Sequence, residues 1–136
     1  LISVGGNICA TGPKTEEGDP WVVGIQNPDG GDYLHTVCVT GGSVVTSGDY
    51  QRTYLVDGES YHHIIDPETL MPSRYWRSVT VVCADSGIAD ALSTALFLMP
   101  QEEGQALLTR YNAEAMWVDA EGGEFFSPGF RELLRT

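Results

Sequence analysis

The sequence predicts an α+β fold, an antiparallel sheet with its helices packed on one face, and three observations carry that expectation. Segments rich in β-branched residues follow one another from Leu1 to Cys83, and turns bearing Gly, Asp, Asn or Pro separate them at short intervals. Helical periodicity begins only after Cys83, so the helices gather late instead of alternating with strands. Strands joined by tight turns pair antiparallel, because a parallel crossover needs a dozen or more connecting residues.

Leu1 to Ala10 is β-branched and small and reads as a strand; Thr11 to Pro20 is a polar loop rich in turn formers. Trp21-Val22-Val23-Gly24-Ile25 is a second strand. Asn27-Pro28-Asp29-Gly30-Gly31 stops it, and Tyr33 to Val39 returns as its hairpin partner. After Gly41-Gly42 comes Ser43 to Gly48, then Asp49 to Tyr54, which runs to a second turn at Asp57-Gly58. Tyr61 to Ile65 is short and β-prone, while Pro67 and Pro72 forbid a helix through the loop that follows. Ser78-Val79-Thr80-Val81-Val82-Cys83 is the clearest strand, and Asp85 or Ser86 is placed to cap the next helix by accepting its first free N–H groups. On a wheel of 100° per residue, that helix gathers Ile88, Leu92, Ala95 and Met99 on one side, facing the sheet, and sets Asp90, Ser93, Thr94 and Phe97 opposite. A second helix spans about Gln101 to Tyr111, with Glu102 and Glu103 suiting its N-terminal dipole. Ala115 to Val118 and Glu124 to Phe126 frame a hairpin, and a short helix from Gly129 to Leu134 ends the chain.

The 136 residues carry 7 Lys+Arg against 19 Asp+Glu, a formal net charge of −12. Nucleic acid is excluded as a partner on this balance, because a phosphate backbone needs clustered cationic side chains to release its counterions. An anionic ligand is still compatible with an acidic chain if a divalent cation supplies the local positive charge. Cys9, Cys38 and Cys83 lack metal-ligand spacing and read as small buried hydrophobes. The longest apolar run, at Ala95 to Met99, is far short of membrane-spanning length. Because Leu1-Ile2-Ser3-Val4 already reads as strand, the chain is expected to be part of a larger one.

Four segments bear chemistry. Asp90 and Thr94, four apart on one helix, put a carboxylate and a hydroxyl side by side, and Mg²⁺ takes few protein oxygens and completes its shell with phosphate and water. The same spacing also occurs on ordinary solvated helix faces. Thr46-Ser47-Gly48-Asp49 offers small residues and hydroxyls that let a backbone approach an anion, or is a plain turn between strands. His62-His63-Ile64-Ile65-Asp66-Pro67 sets an imidazole beside a carboxylate ahead of a rigid loop, or is a surface histidine pair. Gly5-Gly6-Asn7 is a further site of close backbone approach.

Taken in order, these segments resemble the ApbE family of FAD:protein FMN transferases. The likeness runs from Val4 to about Phe130 through Val4-Gly5-Gly6-Asn7-Ile8, Pro20 to Ile25, Thr46-Ser47-Gly48-Asp49-Tyr50-Gln51-Arg52, Tyr61 to Thr69, Ser78 to Val81 and Ala89-Asp90-Ala91-Leu92-Ser93-Thr94-Ala95. The resemblance implies a T-fold-like architecture, incomplete without an N-terminal half that supplies much of the FAD pocket. It implies that Asp90 and Thr94 are Mg²⁺ ligands beside the FAD pyrophosphate, with Asp90 a catalytic residue. Thr46, Ser47 and Gly48 would line the flavin-phosphate pocket, Thr69 would be a further cofactor-binding residue, and His63, cofactor-binding and catalytic, would be the family histidine near the phosphate and the acceptor hydroxyl. One departure is visible: the family shows Gly after the Thr of its histidine loop, where this chain has Thr69-Leu70-Met71-Pro72, and Leu does not readily adopt the positive φ that Gly permits.

The activity implied is Mg²⁺-dependent transfer of FMN from FAD, the substrate, onto a Thr or Ser hydroxyl of an acceptor flavoprotein, with release of AMP. The competing expectations are hydrolysis of FAD to FMN and AMP on the same half-site, and a flavin-binding module without turnover. The family resemblance also implies an extracytoplasmic setting, membrane-anchored or periplasmic, of the kind described for thiamine biosynthesis lipoproteins.

Overall fold

The central strands are apolar along nearly their whole length, and since successive side chains point to opposite faces the sheet is buried on both sides. The computed structural model describes residues 1–135. Six strands form one antiparallel sheet in the order β1-β2-β5-β8-β9-β10: β1 is Ile2–Val4, β2 Asn7–Ala10, β5 Gly42–Gly48, β8 Ser78–Cys83, β9 Glu114–Val118 and β10 Glu124–Phe126. Two hairpins stand apart from it, β3 (Trp21–Ile25) with β4 (His35–Val39), and β6 (Thr53–Val56) with β7 (Glu59–His62). Val45, Val79, Val81, Ala115 and Trp117 point to one face, whereas Val44, Val82, Met116 and Val118 point to the other. This is the two-residue period of a strand expressed across three neighbours.

The first face is covered by α1 (Ser86–Phe97) and α2 (Gln101–Tyr111), as the α+β expectation requires. The second face is covered by the β3–β4 hairpin, through Val23, Ile25, Val37 and Val39, and by the short α3 (Phe130–Leu133), through Phe130. Arg77 ties that hairpin down: its guanidinium donates to Asp29 and to the Pro28 carbonyl in the β3–β4 loop and to Asp49 at the end of β5.

Two local expectations are corrected. Leu1 to Ala10 is not one strand but a hairpin, because Gly5 and Gly6 both take positive φ, 50° and 91°, and pair Val4 with Asn7 across a two-residue turn. The buried stripe of α1 is Ala89, Leu92, Ser93, Leu96 and Phe97, and Ile88 is exposed. The helical wheel points to the neighbouring stripe because Ser93 counts as polar and is expected outward. In the fold Ser93 is turned inward, where its hydroxyl has partners. Of the two cap candidates, Asp85 and Ser86, it is Asp85 that caps α1, accepting from the Ile88 N–H at 2.9 Å.

Candidate functional site

The helix cap fixes where α1 starts, and its buried stripe fixes which way it is rolled. With Ala89, Leu92, Ser93 and Leu96 against the sheet, Asp90 and Thr94 lie at its edge, exposed and one turn apart. β5 runs beneath α1. Strand alternation sends Ser47 to the α1 face alongside Val45, and there its Oγ meets Ser93 Oγ at 2.8 Å and Thr94 Oγ1 at 3.4 Å. The sequence-predicted Thr94 and Ser47 are thus brought together by tertiary packing across 47 positions of chain.

Thr46 behaves differently. Being one residue earlier on the strand, it turns to the opposite face and pairs its hydroxyl with Thr80 directly across the ladder at 2.8 Å. Its backbone N–H bonds Gly6 O at 3.1 Å, which brings the β1–β2 turn next to β5. Thr46, Ser47 and Gly48 are therefore not a turn but the last residues of β5. A Cβ on Gly6 would sit 3.4 Å from both Thr46 O and Gln51 Nε2, so this corner is closely built. Asn7 Nδ2 donates to the Ser86 carbonyl at 3.5 Å and links β2 to the start of α1.

The two adjacent histidines separate by role. His62 is buried, accepts the Ile64 N–H at Nδ1, donates from Nε2 to the Ser73 carbonyl and packs edge-on against Phe97. It anchors the loop. His63 points outward beside Arg52, and its pKa lies below the ordinary 6.5, first through loss of solvent and then through the positive charge of Arg52. Among the described residues, no hydrogen bond joins His63 to Asp90, Thr94 or Ser47.

Thr69 lies on the exposed loop after His63, with its Oγ1 accepting from the Met71 N–H at 3.3 Å. It borders an open groove of about 530 Å³ that Tyr61, Asp66, Arg74 and Tyr75 also line. Leu70, where a Gly was expected, does take the left-handed conformation at φ 58°; its N–H bonds the Asp66 carbonyl at 2.8 Å and holds it there.

Among the described residues no group of three or more His, Cys, Asp or Glu is arranged to hold a metal ion. Asp90 and Thr94 nevertheless fit a hard cation as a half-site. Both present oxygens to solvent, and Mg²⁺ prefers such a pair completed by phosphate and water over an all-protein cage. Sequence reasoning missed Ser93 and Thr80, the buried hydroxyls that hold Ser47 and Thr46. The run Asp90-Ala91-Leu92-Ser93-Thr94 contained the signal for Ser93, since a Ser three residues after Asp90 can bond back to its carbonyl, as it does at 2.9 Å.

The ApbE family model matches residues 1–117. A FAD:protein FMN transferase of Treponema pallidum (strain Nichols) is 42% identical over 149 residues, spanning 100% of this chain and 41% of that protein. One from Escherichia coli (strain K12) is 34% identical over 140 residues, spanning 98% of this chain and 40% of that protein. The crystal structure of the ApbE protein from Thermotoga maritima matches with a TM-score of 0.89 and 38% identity over 97% of this chain and 43% of that one. The flavin transferase ApbE from Vibrio cholerae matches with a TM-score of 0.74 and 29% identity over 96% of this chain and 43% of that one. The chain thus spans about two fifths of the length of the relatives it matches. Sequence over residues 1–117 and the layered sheet at a TM-score of 0.89 agree, and on both grounds this chain belongs to the ApbE family.

Proposed function

We propose that this chain is the C-terminal portion of a protein that transfers FMN from FAD to a Thr or Ser hydroxyl of an acceptor protein and releases AMP, with Mg²⁺ at Asp90 and Thr94. The observation that carries this is the exposed Asp90–Thr94 pair on α1, with Thr94 packed against Ser47 at the end of β5. Relatives named FAD:protein FMN transferase, aligned along the whole chain, support it. When bound, the cation supplies neutralisation of the charge that grows on a pyrophosphate during its cleavage.

The residues of this chain then have separable tasks. Asp90 gives a carboxylate oxygen and Thr94 an alcohol oxygen to the cation. Ser47 and Gly48 form the neighbouring wall on which the flavin phosphate rests, with Thr46 contributing its backbone only. His63, held below its ordinary pKa, is unprotonated at neutral pH and can accept the proton of the attacking hydroxyl. A bond forms between the acceptor oxygen and the FMN phosphorus, the P–O bond to the bridging oxygen breaks, and AMP leaves with that oxygen. Thr69 borders the groove that Tyr61, Asp66, Arg74 and Tyr75 line and serves as a further cofactor-binding residue.

Incubating the full-length protein with FAD, Mg²⁺ and an acceptor peptide tests this by mass spectrometry. The peptide should gain the FMN mass in step with AMP release; free FMN beside unmodified peptide would mean hydrolysis instead. Asp90→Ala should lower transfer by at least about 100-fold with the fold intact, a loss typical when a charged group acting on the transition state is removed. Metal-dependent transfer at the parental rate would overturn the assignment. An extracytoplasmic position, membrane-anchored or periplasmic, is proposed from the family resemblance and is checked by cell fractionation.

A further inference from the structure

Three hydroxyls and one carbonyl form a chain at the edge of α1, and counting their protons gives the chain a direction. Ser93 Oγ donates to the Asp90 carbonyl at 2.9 Å, which uses its only proton. Toward Ser47, 2.8 Å away, Ser93 can therefore only accept, so Ser47 must donate. Ser47's one proton is then spent as well, and in the 3.4 Å contact with Thr94 the donor must be Thr94. That last contact is long for a hydroxyl pair. Yet it is the partner the Thr94 hydroxyl has among the described residues.

We infer that Ser93, through Ser47, positions the Thr94 hydroxyl with its proton aimed inward and its lone pairs aimed out toward the side where Asp90 is exposed. Ser93 is fully buried, and Ser47 is half-buried, so bulk water does not compete to reorient the inner links. An alcohol ligates a cation through its lone pairs, and one whose proton faced outward would repel it. Groups behind a ligand that fix its orientation in this way commonly change metal affinity by about 10- to 100-fold when removed. The Asp90 backbone carbonyl is the end of the same chain, so the relay couples the two ligand positions within one turn of helix. Ser93 is a positioning residue and need not touch the cation; Ser47, which also walls the flavin phosphate, transmits its orientation to Thr94. The inference rests on the proposed metal site at Asp90 and Thr94.

The test uses the full-length protein with FAD present and Mn²⁺ as the probe, its binding read by electron paramagnetic resonance, together with the thermal midpoint of each variant. Asp90→Ala tests the site itself, and loss of Mn²⁺ binding is expected. Ser93→Ala frees the Ser47 proton to turn toward Thr94 and should weaken Mn²⁺ about tenfold. Ser47→Ala removes the inward acceptor and should weaken it to the same degree. The double variant Ser47→Ala/Ser93→Ala should lose no more than either single one, because all three break the same chain. Transfer by Ser93→Ala should recover at saturating metal, which a general loss of packing would not produce. Should Ser93→Ala fail to fold, Ser47→Ala at its less buried position reads the same link. Affinities within twofold of the parent in a folded Ser93→Ala or Ser47→Ala, or losses that add in the double variant, overturn the relay. Unchanged affinity in Asp90→Ala would overturn the metal site instead, so the two failures are distinct.

Discussion

Leu70 is held at φ 58° although its side chain is 76% exposed, so almost no burial offsets the strain of a left-handed backbone. For a residue with a Cβ that conformation costs roughly 1–2 kcal/mol, less what Gly forfeits by loosening the unfolded chain. Leu70→Gly should therefore raise stability by roughly 0.5–1 kcal/mol, measured as a shift of the urea midpoint. A decrease would show that the exposed side chain makes a stabilising contact. His63 gives a second prediction at this scale. Its folded pKa lies below the ordinary 6.5 that holds in the unfolded chain, so the unfolded state takes up the proton first as pH falls. Its contribution to stability is complete above 6.5 and is lost as pH drops from there through the folded value. An NMR titration of the ring should give a midpoint under 6.5, and Arg52→Ala should move it upward.

Among the elements, β5 is the most constrained, for it carries Ser47 at one end and is pinned at the other. Gly42, its first residue, has φ 89°, and a Cβ there would lie 2.9 Å from the Cys83 carbonyl oxygen. That neighbour is backbone of the adjoining β8 and cannot swing aside, so strain and clash act together. Gly42→Ala should destabilise by about 2 kcal/mol or more, read by thermal or urea unfolding. Because the register of β5 on β8 sets Ser47 opposite Val79, the same change should also weaken the Ser47–Thr94 contact. Helix α1 shows how an element can be foreseen and still be misrolled. Its cap at Asp85 was legible because capping is local, whereas its buried face depended on Ser93 meeting Ser47, 46 residues away.

On the scale of the whole chain, a net charge of −12 on 136 residues is a self-repelling surface. Such repulsion weakens the compact state and is screened by salt, over about 10 Å at 0.1 M and about 3 Å at 1 M. Raising NaCl from 20 mM to about 0.5 M should therefore raise the melting temperature; a fall would mean that exposed pairs such as Arg74–Glu59 outweigh the repulsion. The two covered faces of the sheet bury Trp117 and Phe97 on one side and Met116 and Phe130 on the other, and leave the α1 edge open to solvent. The candidate site lies at that edge.

By itself the sequence determined the α+β class, the three helices and most of the strands, though not the split of Leu1 to Ala10 into β1 and β2, and it named the Asp90, Thr94, Ser47 and His63 candidates, because turns, caps and periodicity act over a few residues and leave local marks. It also showed where Leu70 departs from the family pattern. Only the tertiary structure decided that Ser47 turns to α1 while Thr46 turns away to Thr80, that His62 is an anchor and His63 the free-facing ring, and that Ser93 is buried. The physical reason is that the partners that orient these groups include ones brought from far along the chain, 46 residues apart for Ser47 and Ser93, and no local pattern records which distant partner that will be.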